Sequence, residues 1–207
     1  MRLILQKTNE RRSTLSDNDN KIKQLVEQAL SGNKTSMEHL MDHFYNDVFR
    51  MVYYRLSTRM DAEDLTQEVF MQMTKSLPNL KDSSLFKPWL FRIALNRVRD
   101  FHRKKNILSF FGSTTEKGVV ASVNADSFFD PSKNIMDKEF RVQLRKFSET
   151  LSRWEREVFT LRFLDQLEIK EIVQIVQKNE NTVKTHLYRA LKKFRGNREL
   201  YSLLLGE

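Results

Sequence analysis

From Ile22 onward the apolar positions Ile22, Leu25, Val26 and Leu30 keep to one helical face, and Ser31-Gly32-Asn33 supplies a stop. A second helix begins after Lys34, where Leu40, Phe44, Val48, Met51, Val52 and Leu56 recur at threes and fours and place one continuous stripe against a core. The third helix carries Asp61-Ala-Glu-Asp-Leu-Thr-Gln-Glu-Val-Phe, with Leu65, Val69, Phe70 and Met73 inward and Asp64, Gln67 and Glu68 together outside. The stretch Ser76 to Ser84 reads as an exposed loop from its Pro, Asn, Asp and Ser content. A fourth helix opens near Lys87-Pro88-Trp89 and ends in the cationic Arg103-Lys104-Lys105. Its apolar stripe is Leu90, Ile93, Ala94, Val98 and Phe101, while Arg92, Asn96, Arg99 and Arg103 repeat on another face.

Helical periodicity then lapses over 106–136, which reads as an interdomain linker despite Phe110, Phe111, Phe128 and Phe129, four rings that are costly to leave in water. It resumes near Asp137. Ser152-Arg-Trp-Glu155 has capping-box spacing ahead of the run Val158 to Phe163. Ile169, Ile172, Val173 and Val176 make a short amphipathic helix, Gln177 to Glu180 a turn, and Val183, Leu187, Ala190, Leu191 and Phe194 a longer helix. That succession has helix-turn-helix spacing. The expected organisation is a disordered tail over 1–20, a helical domain over 21–105, the linker over 106–136 and a second helical domain over 137–200.

Composition narrows the class. With 5 Gly and 3 Pro in 207 residues, the punctuation that strand-and-turn folds require is scarce, so the chain is expected to be all-α, in two small helical domains. The absence of cysteine excludes disulfides, thiolate metal sites and cysteine nucleophiles, and suits a reducing cytosol. The apolar start of MRLILQKTNERR is too short for a signal sequence, and no segment reaches membrane-spanning length. A soluble cytoplasmic protein is expected, with no membrane insertion.

Charge changes the picture most. A formal net charge of +9 favours polyanionic partners through phosphate neutralisation and counterion release. Between Glu180 and Glu199 stand Lys184, Arg189, Lys192, Lys193, Arg195 and Arg198 with no acidic residue among them. A helix that enters the major groove needs short or basic side chains near its amino end for base edges and cations further along for phosphates. Lys184, Thr185, Tyr188 and Arg189 lie opposite the apolar stripe and suit that task; the competing reading is a solvated basic helix end. The fourth helix adds a second basic face, where Arg92, Arg97, Arg99, Arg103, Lys104 and Lys105 meet only Asp100 among acids. Asn96 on that face suits a base contact and Trp89 either stacks on a base or belongs to the core.

Catalytic readings find little support. Asp61, Glu63, Asp64 and Glu68 lack a second convergent carboxylate group, a nucleophile or a phosphate loop, so they read as a solvated or partner-binding face. His39 and His43 have metal-ligand spacing without a third ligand. No cofactor, metal or catalysis is expected.

At this point the chain resembles a sigma factor of the extracytoplasmic-function type, over roughly residues 22 to 105 and 137 to 196. The resemblance rests on Asp61-Ala-Glu-Asp-Leu-Thr-Gln-Glu-Val-Phe, on Phe86-Lys-Pro-Trp-Leu-Phe-Arg-Ile-Ala-Leu-Asn96, on Leu161-Arg162-Phe163 with Glu171-Ile172, and on Thr182-Val-Lys-Thr-His-Leu-Tyr-Arg-Ala190. It implies that Asp64, Gln67 and Glu68 contact the clamp helices of the largest subunit of core RNA polymerase, with the flap of the second largest subunit a further contact. Leu80 and Asn96 match positions that cradle a base flipped from the minus ten element, in the company of Trp89, Arg92, Arg99 and Arg103. Arg162, Lys184, Thr185, Tyr188 and Arg189 match positions that read the minus thirty-five element, with Lys192 beside them. Promoter DNA and an anti-sigma protein are the other implied partners. The sequence departs from the family pattern at Leu80, where an aromatic residue often stands, at Asp82, where Gly is common, and in the turn 177–181, which lacks the usual Gly and its apolar neighbour. The alternative is a stand-alone helix-turn-helix regulator binding duplex DNA as a dimer. The acidic helix, loop and basic aromatic helix of the first domain distinguish the two, because a regulator has no use for them.

Overall fold

The computed structural model describes residues 20–56, 58–111, 143–144 and 146–197. The tail before residue 20, the linker beyond Phe111, the side chains of Phe110 and Phe111, and Arg198 lie outside the described residues. The described residues form helices and turns without a strand, and the chain divides into two compact units, Met1–Thr115 and Glu116–Glu207. None of the described helices is long and apolar enough to cross a membrane.

In the first unit, helix α1 covers residues 20–30 and ends in a Schellman arrangement, with Gly32 at φ +95°. Gly32 N–H donates to the Ala29 carbonyl at 3.0 Å and Asn33 N–H to the Gln28 carbonyl at 3.0 Å. The left-handed backbone there suits glycine alone among the standard residues without strain. Asn33 then accepts a bond from Ser36 N–H at 3.1 Å and starts α2, Lys34–Tyr53, so the predicted stop is also the next start. Helix α3, Arg59–Ser76, is capped by Thr58. Two single 3₁₀ turns, Leu77–Asn79 and Ser83–Leu85, fill what reads in sequence as a plain exposed loop.

Helix α4 runs from Phe86 to Phe111, six residues past the cationic cluster at which the sequence places its end. Helices α2, α3 and α4 pack on one another, with Phe44 and Phe86 rings 5.4 Å apart in the core. Because α4 meets both α2 and α3, it buries a wider arc than its predicted stripe: Phe86, Phe91 and Leu95 are buried beside Leu90, Ala94 and Val98, whereas Ile93 and Phe101 are half-buried. In α1, Ala29 is buried and Leu30 is exposed, the reverse of the sequence expectation. The short Ala side chain meets the core where a Leu on the neighbouring position points to water.

The second unit begins, among the described residues, with helical residues 143–144 and 146–150, α5. Helices α6 (Arg153–Phe163), α7 (Ile169–Val176) and α8 (Glu180–Gly196) follow and contact one another pairwise. The predicted capping box is present: Ser152 Oγ accepts from Glu155 N–H at 3.4 Å, and Glu155 accepts from Ser152 N–H at 2.9 Å. Phe147, Leu151, Phe159 and Ala190 form the core, with Leu144, Leu191 and Phe194 packed against it. The three Phe rings lie 5.3 to 5.8 Å apart, partly edge to face.

The turn between α7 and α8 lacks the glycine that its geometry favours. Gln177 takes the left-handed conformation instead, at φ 53° and ψ 45°. Asn179 caps α8 by accepting from Thr182 N–H at 2.8 Å, which draws Glu180 into the helix rather than leaving it in the turn.

Candidate nucleic-acid interface

Three polar faces are available, two on the first unit and one on the second. On α3, Asp64, Gln67 and Glu68 are exposed together while Leu65, Thr66 and Val69 are buried behind them. Thr66 satisfies its hydroxyl inside the helix by donating to the Ala62 carbonyl at 2.7 Å. Glu63 is drawn aside into an ion pair with Arg59 at 2.6 Å, so the acidic face is narrower than the sequence suggests. Apolar surface borders it, since Met71 and Met60 are exposed and Tyr45 stacks on Phe70 at 6.1 Å.

On α4, Asn96 is exposed, Arg92 and Arg99 are half-buried, and Arg103 is exposed and paired with Asp100 at 3.1 Å. Arg97 leaves this face and donates to Gln72 Oε1 on α3 at 2.8 Å. Trp89 is half-buried with its ring 5.8 Å from that of Phe86, so it serves both the core and the surface. Leu80, half-buried, closes the first 3₁₀ turn by donating its N–H to the Leu77 carbonyl at 2.9 Å. Asp82 caps the second turn, accepting from the Ser84 hydroxyl at 2.6 Å and the Ser84 N–H at 2.9 Å. Those two donors hold its carboxyl below the usual carboxylate range.

On α8, Lys184, Thr185, Tyr188, Arg189 and Lys192 form one exposed stripe opposite the buried Val183 and Ala190. Tyr188 is 67% exposed, a large aromatic surface that the core of its own unit does not use. Thr185 Oγ1 donates to the Asn181 carbonyl at 2.8 Å, and Lys184 pairs with Glu180 at 2.6 Å. Lys184 lowers the Glu180 carboxyl from its ordinary range through that hydrogen bond. Arg162, exposed at the end of α6, also donates to the Leu167 carbonyl at 2.9 Å and so steadies the entry to α7.

Lys193 belongs to none of these faces. Its Nζ donates to Glu155 Oε2 at 2.6 Å and to the Thr150 carbonyl at 3.1 Å, joining α8 to the start of α6. Glu155 is buried, and the Lys193 bond lowers its carboxyl below the usual range against the opposing effect of burial. Sequence counting places Lys193 among the surface cations of α8, where it remains; only the crossing of two helices reveals its bond to the buried Glu155.

A second latch also escaped the sequence. Lys178, in the turn that lacks the family's usual apolar residue, lays its ammonium 4.1 Å from the Trp154 ring centre, and His186 of α8 stacks on the same ring at 6.5 Å. The departure in the turn is thus met by a cation over an aromatic face. His39 and His43 are both exposed, and the described residues contain no group of three or more His, Asp or Glu able to hold a metal.

Comparison with known proteins joins these faces. The sigma-70 region 2 family matches residues 40–107 and the sigma-70 region 4 family matches residues 141–194, together more than half of the chain. The first match contains the acidic face and the α4 face, and the second contains the α8 stripe. The chain is 28% identical over 183 residues to the ECF RNA polymerase sigma factor BldN of Streptomyces coelicolor, covering 88% of this chain and 67% of that protein. It is 25% identical over 178 residues to SigW of Bacillus subtilis, covering 84% and 95%, and 27% identical over 175 residues to the sigma-E factor of Escherichia coli, covering 80% and 88%. Among solved structures, the fold is shared with CnrH in complex with the cytosolic domain of CnrY, at a TM-score of 0.62 and 20% identity, covering 90% of this chain and 98% of that one. It is shared also with RpoE of Bartonella quintana in complex with the anti-sigma factor NepR, at 0.55 and 18%, covering 81% and 95%. Matches in both units do not favour a stand-alone regulator, which accounts for the second unit alone. The chain belongs to the sigma-70 family, in its extracytoplasmic-function branch, and its function is promoter-specific transcription initiation by RNA polymerase.

Proposed function

We propose a division of labour among the three faces. Asp64, Gln67 and Glu68 dock the first unit on the clamp helices of core polymerase, where a carboxylate face with methionine and tyrosine at its border meets basic and apolar side chains together. The α4 face holds the minus ten element: Arg92, Arg99 and Arg103 neutralise phosphates, Trp89 stacks, and Leu80 with Asn96 receives a base turned out of the duplex. Extruding a base costs a few kcal/mol of stacking, which the receiving pocket must offset. The α8 stripe reads the minus thirty-five element, with Lys184, Thr185, Tyr188 and Arg189 toward base edges and Lys192 and Arg162 toward phosphates.

The observation that carries this reading is the presence of two cationic helical faces in separate compact units, one of which also bears an exposed acidic face. DNA attracts the first two; a protein partner suits the third. The domain limits follow as 21–105 for polymerase docking and minus ten recognition and 137–200 for minus thirty-five recognition, joined by 106–136. Recognition and strand separation are the protein's whole chemistry, nucleotide addition belonging to the polymerase, and its place of work is the cytoplasm. The solved relatives in complex with partner proteins support an anti-sigma protein as a further partner.

Reconstitution tests the reading. The full-length protein alone binds promoter DNA weakly, and mixed with core RNA polymerase it directs transcripts from defined start sites on a promoter library. Tight sequence-specific binding without polymerase, combined with no start-site selection in its presence, contradicts it.

A further inference from the structure

The loop between α3 and α4, which the reading above assigns to base capture, reaches its shape before any DNA arrives. Leu77 is 1% exposed and anchors the first turn in the core. Leu80 N–H then fixes the turn's end by its bond to Leu77. Two residues later Asp82 holds the second turn with three bonds: its carboxylate accepts from the Ser84 N–H and hydroxyl, and its carbonyl accepts from Leu85 N–H at 3.1 Å. Leu80 therefore stands between two closed turns, with Lys81 the one residue separating it from the Asp82 cap.

A third restraint comes from far away in sequence. Ser83 Oγ donates at 3.0 Å to Glu27 Oε1 on α1, 56 positions earlier. Helix α1 precedes the stretch that matches the region 2 family, which begins at residue 40. It is nonetheless seated firmly, with Val26 fully buried, its end fixed by the Gly32 turn, and Gln28 Oε1 accepting from the Ser36 hydroxyl of α2 at 2.7 Å. Lys23, 3.9 Å from Glu27, adds a cation on the same side, close enough to act on the Asp82 carboxylate.

We infer that Asp82 and Glu27 set the base preference of this loop as positioning residues: Asp82 caps the turn that follows Leu80, and Glu27 ties that turn to α1. The inference rests on the reading that Leu80 contacts a minus ten base. A pocket discriminates between bases only if its walls are held to about half an ångström, and neighbouring hydrogen bonds supply that restraint. Removing the cap leaves Leu80 present and the loop able to settle around several bases; selectivity then falls while the fold persists. Helix α1 becomes part of the promoter-reading machinery without touching DNA through Glu27.

The test uses the full chain with core RNA polymerase. A promoter selected by the wild-type protein from a randomised library is rebuilt with each of the four bases at every minus ten position, and transcript yields give the preference at each. Leu80→Ala changes the preference at one position. Asp82→Gly flattens the preference at that same position by about five-fold, the equivalent of one lost cap. Asp82→Asn, which keeps the side-chain acceptor, restores it, and Glu27→Ala flattens it by about two-fold, as suits an exposed hydrogen bond. Melting temperatures within a few degrees of wild type show that the fold is intact, Asp82 and Glu27 being exposed and Leu80 half-buried. If Leu80→Ala shifts the preference but Asp82→Gly and Glu27→Ala leave it alone, or lower all four bases equally, the inference is wrong and the reading of Leu80 stands. If Leu80→Ala shifts nothing, the reading itself fails and takes the inference with it.

Discussion

The two cationic helices are held in place by different physics. Helix α4 is seated by burial: Phe86, Leu90, Phe91, Ala94, Leu95 and Val98 all enter a core shared with α2 and α3, so its DNA-facing side is the outer wall of a packed bundle. Helix α8 buries only Val183 and Ala190 completely and relies on Leu191 and Phe194 at the margin of the core. Polar latches do the remainder, through Lys193 to Glu155 and Thr150 and through Lys178 over Trp154. Apolar burial holds α4 along its length as part of a close-packed core, whereas the polar latches pin α8 and the turn before it to α6 at particular points. The difference suits the proposed tasks: melting strands needs a rigid wall, while reading base edges in a groove needs one helix set at one orientation.

Truncating the seat of α4 has the largest expected effect. Phe91→Ala removes a ring that is 1% exposed and costs about 3–5 kcal/mol, lowering the first unit's melting transition by thermal denaturation. A loss under about 1 kcal/mol breaks the claim that burial seats this helix. Next comes the α8 stripe itself. Arg189→Ala costs about 1–3 kcal/mol if it reads a base, and it relaxes preference at one minus thirty-five position; Lys192→Ala weakens all sequences alike and reduces the salt slope by about 1. Equal loss on every sequence from Arg189→Ala assigns that residue to phosphate instead.

The latch gives a smaller effect with a pH signature. Lys193→Met leaves the buried Glu155 carboxylate without its cation and costs about 1–2 kcal/mol, less than a fully buried pair because Lys193 is 44% exposed. Glu155 is lowered from 4.5 in the folded state, so its contribution is full above that value and disappears as pH falls through the lower folded value. The wild type accordingly loses more stability on acidification than Lys193→Met does, a contrast measurable by thermal melts at a series of pH values below neutrality. Equal slopes contradict the latch. Smallest is Gln177→Gly, which relieves left-handed backbone strain and adds about half a kcal/mol, after the greater unfolded freedom of glycine is set against it.

Sequence periodicity locates the helices of both units because most of them bury one face, and the capping box at Ser152 and Glu155 is readable because both partners lie within one turn. Other features were hidden for a common reason: they join residues distant in the chain. Glu27 with Ser83, Arg97 with Gln72 and Lys193 with Glu155 form pairs only when separate elements are packed together. Phe91 and Leu95 escaped the α4 stripe because a helix with neighbours on two sides buries more than one face. The turn before α8 looked defective for lack of glycine and of an apolar neighbour. Gln177 in the left-handed region and Lys178 on Trp154 perform both tasks with different chemistry.

The central claim is that the exposed acidic face of α3 serves polymerase while α8 serves DNA. Its most direct measurement is the affinity of the full chain carrying Asp64→Ala and Glu68→Ala for core RNA polymerase, taken beside its melting temperature. The account predicts that association weakens by tenfold or more, about 1.4 kcal/mol or greater, with melting unchanged because both side chains are exposed. Association equal to wild type in a folded variant contradicts it.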